Sequence, residues 1–94
     1  MEKQHVEGVN RGEVLLYALS TCVWCKRMKR LLNDIGVEYY YIDVDMLEGD
    51  EKKQIENELG EWNKRRSYPT IVVNNEKALV SFDEDKIREV LGDG

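Results

Sequence analysis

The two cysteines of this 94-residue sequence stand three positions apart in Cys22-Val23-Trp24-Cys25. Thiols at that spacing can exchange between dithiol and disulfide, supply part of a metal site, or form a purely structural bridge. Zinc wants four ligands, and only His5 and scattered carboxylates could complete a set around this pair. The start, Met1-Glu2-Lys3-Gln4-His5, lacks the apolar core of a signal peptide, so the chain reads as cytoplasmic, where structural disulfides are rare. Redox chemistry is the use this pair favours.

That chemistry depends on where the chain holds the sulfurs. Glu13-Val14-Leu15-Leu16-Tyr17-Ala18 is a nearly continuous apolar run, expected as a strand buried on both faces and ending just before the cysteines. From Val23 onward Met28, Leu31, Leu32 and Ile35 fall at helical spacing, with Lys26, Arg27, Lys29 and Arg30 on the other faces. Gly36 is the stop, and Ser20 or Thr21 is available as a cap. Cys22 therefore sits at a helix N-terminus, where free N–H groups and about half a positive charge favour a sulfur as thiolate. Cys25, one turn further in, is expected to be the more buried partner and near enough to close a disulfide.

The remaining elements follow from pattern. Val37 to Val44 is rich in aromatic and β-branched residues and reads as a second strand, completing a right-handed βαβ unit. Asp45 to Trp62 reads as one helix interrupted near Gly49, with Ile55, Leu59 and Trp62 on one face. Thr70-Ile71-Val72-Val73 and Lys77-Ala78-Leu79-Val80 flank a short turn as a hairpin, and Ser81-Phe82-Asp83-Glu84 reads as a capping box before a final helix with Ile87, Val90 and Leu91. The order is β-α-β-α-β-β-α, an α/β fold of three helices on a four-stranded mixed sheet. One domain is expected over 13–94, behind a loose, flexible arm at 1–12.

Pro69, in Tyr68-Pro69-Thr70, stands directly before a strand. A cis bond there would turn the chain sharply and leave backbone free to pair with an extended substrate. With a C-x-x-C upstream in a βαβ unit, cis is the expectation.

Together these residues resemble the glutaredoxin and glutaredoxin-like branch of the thioredoxin superfamily, over about Glu13 to Leu91. The resemblance implies a thioredoxin-like fold and a thiol–disulfide oxidoreductase or electron carrier. It assigns Cys22 as nucleophile, Cys25 as resolving thiol and Tyr68-Pro69 as the loop that contacts substrate. Trp24, beside the exposed sulfur, and Phe82 and Asp83, in the loop that follows the hairpin, are further candidates for substrate binding. The implied partners are disulfide-containing proteins, with glutathione or a thioredoxin-reductase-type protein as electron donor. No tightly bound cofactor or metal is expected.

Departures from the family pattern bear on glutathione. Members that use it generally carry a lysine a few residues before the first cysteine, where this chain has Ala18-Leu19-Ser20-Thr21, and a Gly-Gly pair before an Asp, where it has Val80-Ser81-Phe82-Asp83. The motif has Val-Trp in place of the more frequent Pro-Tyr. Lys64-Arg65-Arg66, ahead of the proline loop, is the stretch that could meet a glutathione carboxylate. Two alternatives stand beside the enzyme: a dimer holding an iron–sulfur cluster through Cys22 and glutathione, and a non-catalytic interaction module of the same fold.

Charge and hydropathy exclude other classes. A net charge of −5 argues against nucleic acid, which needs a basic surface. No apolar run approaches the roughly 20 residues that span a bilayer, so no membrane partner is expected. A monomer is the expected state.

Overall fold

A computed structural model describes residues 3–80 and 82–92. Its strands are β1 (Gln4–Val6), β2 (Val14–Ala18), β3 (Tyr39–Asp43), β4 (Thr70–Val73) and β5 (Lys77–Leu79), and its helices α1 (Val23–Ile35), α2 (Gly49–Trp62) and α3 (Glu84–Leu91). A 3-10 turn, Val44–Met46, precedes α2, so the interruption expected near Gly49 is real: Gly49 has φ +59° and opens the helix.

Strands run in the order β1-β3-β2-β4-β5. β2 is central, parallel to β3 and antiparallel to β4, and its side chains alternate between two cores. Val14, Leu16 and Ala18 pack with Met28, Leu32, Ile87 and Leu91 of α1 and α3, while Tyr17 packs with Ile42, Ile55, Leu59 and Val72 on the α2 side. This is why the strand reads as continuously apolar. Burial pushes the Tyr17 and Tyr39 hydroxyls up to about 12, with nearby carboxylates adding to the effect at Tyr17 and Tyr41 at Tyr39.

The sheet has five strands where sequence pattern gives four. Gln4–Val6, expected in a flexible arm, pairs antiparallel with β3 in the register Gln4↔Tyr41, His5↔Tyr40, Val6↔Tyr39. Backbone groups make this pairing, and three residues are too few to carry a period. The side chains add to it: the His5 ring stacks on Tyr40 at 4.8 Å, and its Nε2 meets Glu38 Oε2 at 2.5 Å. Ser81 of the expected capping box lies outside the described residues; the cap of α3 is Asp83, whose carboxylate accepts from the Lys86 N–H at 3.1 Å.

Gly8 lets the arm dock. Beyond β1 the chain crosses the α1–β3 turn, with Val9 N–H donating to Gly36 O at 2.8 Å and Glu38 N–H donating to Val9 O at 2.9 Å. A Cβ on Gly8 would lie 2.6 Å from Gly36 O and 2.7 Å from the Val37 carbonyl carbon, both backbone atoms. Gly8→Ala is expected to cost about 1–2 kcal/mol, read as a lower denaturant midpoint at unchanged slope. Faster hydrogen exchange at Val9 and Glu38 would accompany the loss.

Candidate functional site

Strand register assembles the site. Tyr17 of β2 pairs with Thr70 of β4, so Pro69, one residue earlier, lies beside the end of β2 and the turn that carries the cysteines. The Tyr68–Pro69 bond is cis, as expected from the sequence.

Cys22 is itself the N-cap of α1, with φ −82° and ψ 121°. Its Sγ accepts from the Cys25 N–H at 3.2 Å, and the turn closes through Cys22 N–H to Leu19 O at 3.2 Å. Both cysteines are free thiols: Cys22 is partly exposed and Cys25 fully buried. Burial, reinforced by the hydrogen bond with Cys22, pushes the Cys25 thiol up to about 12, against smaller opposing effects of Leu19 backbone and Lys29. The folded chain thus holds this proton more tightly than the unfolded chain. Its contribution to stability is full below about pH 9 and is lost as the pH climbs through about 12.

Ser20 does not cap α1. Its N–H and hydroxyl both donate to the Asp45 carboxylate, at 2.8 and 2.5 Å, which pins the turn to the chain leaving β3 and holds the Asp45 carboxyl below its ordinary range. Parallel pairing explains the contact: Ala18 lies opposite Asp43, so the residues two further along each chain are neighbours.

A second unforeseen residue holds the proline loop. Asn63 is buried after α2; its amide donates to Ser67 Oγ at 2.8 Å and Thr70 Oγ1 at 3.1 Å, and its Oδ1 accepts from the Arg65 N–H at 3.1 Å. A helix-ending Asn a few residues before X-Pro is the signal that could have found it. The Arg66 guanidinium turns away from the loop toward α2, reaching Asn57 Oδ1 at 3.4 Å.

Trp24, Tyr68, Pro69 and Phe82 line one open groove of about 320 Å³, together with Ser67 and Val80, which pattern alone did not single out. Trp24 is half exposed and its ring centroid lies 5.5 Å from that of Phe82. None of the lining side chains is charged. Tyr68 packs against both cores, and burial raises its hydroxyl above the ordinary range. Asp83, grouped with these residues from the sequence, lies outside the groove at the cap of α3. Of the basic run on α1, Lys29 is taken up structurally, 3.0 Å from Asp43 Oδ1 and 4.1 Å from the Tyr41 ring centroid. Among the described residues no group of three or more His, Cys, Asp or Glu could hold a metal ion, and no helix is long and apolar enough to cross a membrane.

A C-x-x-C at the start of the βαβ helix, with a cis-proline before β4 beside the end of the preceding strand, defines a thioredoxin-fold protein with a dithiol centre. A sequence profile of the glutaredoxin family matches residues 14–78. The glutaredoxin of Methanosarcina mazei Go1 superposes with a TM-score of 0.89 at 51% identity, over 96% of this chain and 87% of that one. Methanoredoxin of Methanosarcina acetivorans gives 0.87 at 48% identity, over 90% of each chain. Glutaredoxin-C2 of Arabidopsis thaliana is 31% identical over 67 residues, which are 71% of this chain and 59% of that protein. The match thus spans about three fifths of that curated relative's length. The chain belongs to the glutaredoxin family.

Two outcomes follow. In Cys22→Ser burial still holds the remaining thiol above its ordinary range, read as absent ultraviolet thiolate absorbance and slow alkylation at neutral pH. Asn63→Ala removes the hydrogen bonds that tie the loop to the end of α2, leaving the buried Thr70 hydroxyl with Ser67 O alone, and costs about 1 kcal/mol or more, measured by chemical denaturation.

Proposed function

We propose that this chain is a thiol–disulfide oxidoreductase acting chiefly on protein disulfides, including mixed disulfides with glutathione. The observation that carries the reading is the inequality of the two thiols: Cys22 partly exposed at a helix N-cap, Cys25 buried one turn behind it.

In the proposed reaction Cys22 thiolate attacks one sulfur of the substrate disulfide. The other sulfur leaves as a thiolate and takes up a proton, and Cys22 is held in a mixed disulfide. Cys25 then gives up its proton and attacks Cys22 Sγ, releasing the second substrate thiol and closing the Cys22–Cys25 disulfide. Two electrons and two protons pass from the protein dithiol to the substrate. Capture of Cys22 in the mixed disulfide removes one cause that holds the Cys25 proton, the contribution of Cys22 itself, while burial persists and Lys29 favours the thiolate. The resolving thiol is thereby released for attack after substrate has been captured.

An electron donor must restore the dithiol, and glutathione and a reductase of the thioredoxin-reductase type are the candidates. The groove over Pro69 has no charged side chain in its lining and Arg66 reaches Asn57 instead, so no cation of the groove itself awaits a glutathione carboxylate, which supports protein disulfides as the principal substrate. The acidic composition supports a soluble carrier.

Cys22→Ser is expected to abolish reduction of a small neutral disulfide such as bis(2-hydroxyethyl) disulfide. Cys25→Ser is expected to accumulate a mixed disulfide with a protein substrate, seen by mass spectrometry and reversed by dithiothreitol. Undiminished turnover by Cys22→Ser would overturn the proposal.

A further inference from the structure

Two depressions share one wall. Phe82 lines the uncharged groove beside Pro69 and also a cleft of about 290 Å³ between α1 and α3, whose charged lining is Arg27, Arg30, Arg88, Asp34 and Glu84. The ridge between them is the Trp24–Phe82 pair, and the Arg27 guanidinium lies 4.8 Å from the Trp24 ring centroid on the cleft side.

The charges in the cleft are not equally engaged. Arg88 and Glu84 neutralise one another at 2.9 Å. Among the described residues no carboxylate lies within ion-pair distance of Arg27 or Arg30, although Asp34 borders the same cleft. Two guanidiniums thus face one unpaired carboxylate, and exposed Lys26 stands on the same helix. This basic face belongs to a chain whose net charge is −5, so it is a local reversal of sign on the helix that Cys22 caps.

We infer that the dithiol acts on an extended segment of a disulfide-bearing protein whose cysteine is flanked on one side by an apolar or aromatic residue and on the other by Asp or Glu. This rests on the oxidoreductase reading and names its substrate class. The apolar residue fills the groove over Pro69. The cysteine crosses the Trp24–Phe82 ridge at Cys22, and the carboxylate meets Arg27 and Arg30. Guanidinium suits the task because it can grip a carboxylate through two N–H groups. Charge complementarity selects an acidic occupant, and the uncharged groove confines that selection to one side of the cysteine.

The test uses two synthetic peptides, acetyl-Gly-Phe-Cys-Glu-Glu-Gly-amide and its Gln-Gln counterpart, each as the mixed disulfide with 2-mercaptoethanol. At low salt the second-order rate constant for reduction by the pre-reduced dithiol chain, followed over one turnover, is expected to be about tenfold higher for the Glu peptide, with the two converging as salt is raised. Arg30→Glu should bring the ratio to about one and Arg30→Gln to an intermediate value. Lys53→Glu, an equal change of net charge on exposed α2 surface, should leave the ratio as it was. A ratio of one in the parent chain, or the same fall with Lys53→Glu, would overturn the inference. If neither peptide is turned over while bis(2-hydroxyethyl) disulfide is, the inference fails and the oxidoreductase reading stands; if none of the three is, the oxidoreductase reading fails and docking is decided separately, by binding of the Cys-to-Ser peptides to the Cys22→Ser chain through tryptophan fluorescence. There a Kd about tenfold lower for the Glu peptide upholds the inference, and equal Kd values refute it.

Discussion

Everything at the site hangs on the register of β2 against its two neighbours. Parallel pairing with β3 brings Ser20 to Asp45, and antiparallel pairing with β4 brings Pro69 to the turn that holds Cys22. A slip of one residue would turn the alternation of β2 inside out, sending Tyr17 among Met28, Leu32 and Leu91 and Leu16 toward α2. The hydrophobic cores on the two faces therefore fix the position of the thiols. The cysteines need no scaffold of their own beyond the helix that begins on them.

Burial and exposure divide the labour between two otherwise identical side chains. One turn of helix separates an N-cap sulfur at the surface from a sulfur with no solvent contact. The same desolvation that holds the Cys25 proton also contributes an apolar side chain to the core next to Met28. Redox asymmetry and packing are two aspects of one placement, which suits a chain of 94 residues with a limited interior.

Residue types with narrow physical meaning were legible in the sequence. The paired cysteines, Pro69 before a strand, the β-branched and aromatic runs and the 3.6-residue period of α1 each admit few readings, and the structure carries them where the pattern put them. Features made by backbone or by distant polar pairs were not legible. β1 is three residues held by ladder hydrogen bonds, Ser20, which with Thr21 reads as an available cap, finds its partner 25 residues away, and Asn63 works through hydroxyls beyond the next loop. Asp83 reads equally as a ligand contact or a cap, because a carboxylate ahead of a helix serves either use; its geometry here is that of the cap.

The docked N-terminal strand also determines how the sheet ends. Without it, five residues of β3 would present an open row of backbone donors and acceptors; with it, both outer strands, β1 and β5, are three residues long. Short edges give an incoming strand little to pair with, and His5, Glu38 and Lys77 place polar groups along them. The segment that reads from sequence as a loose, flexible arm thus serves as a selvedge, finishing the fabric of the sheet on its β3 side.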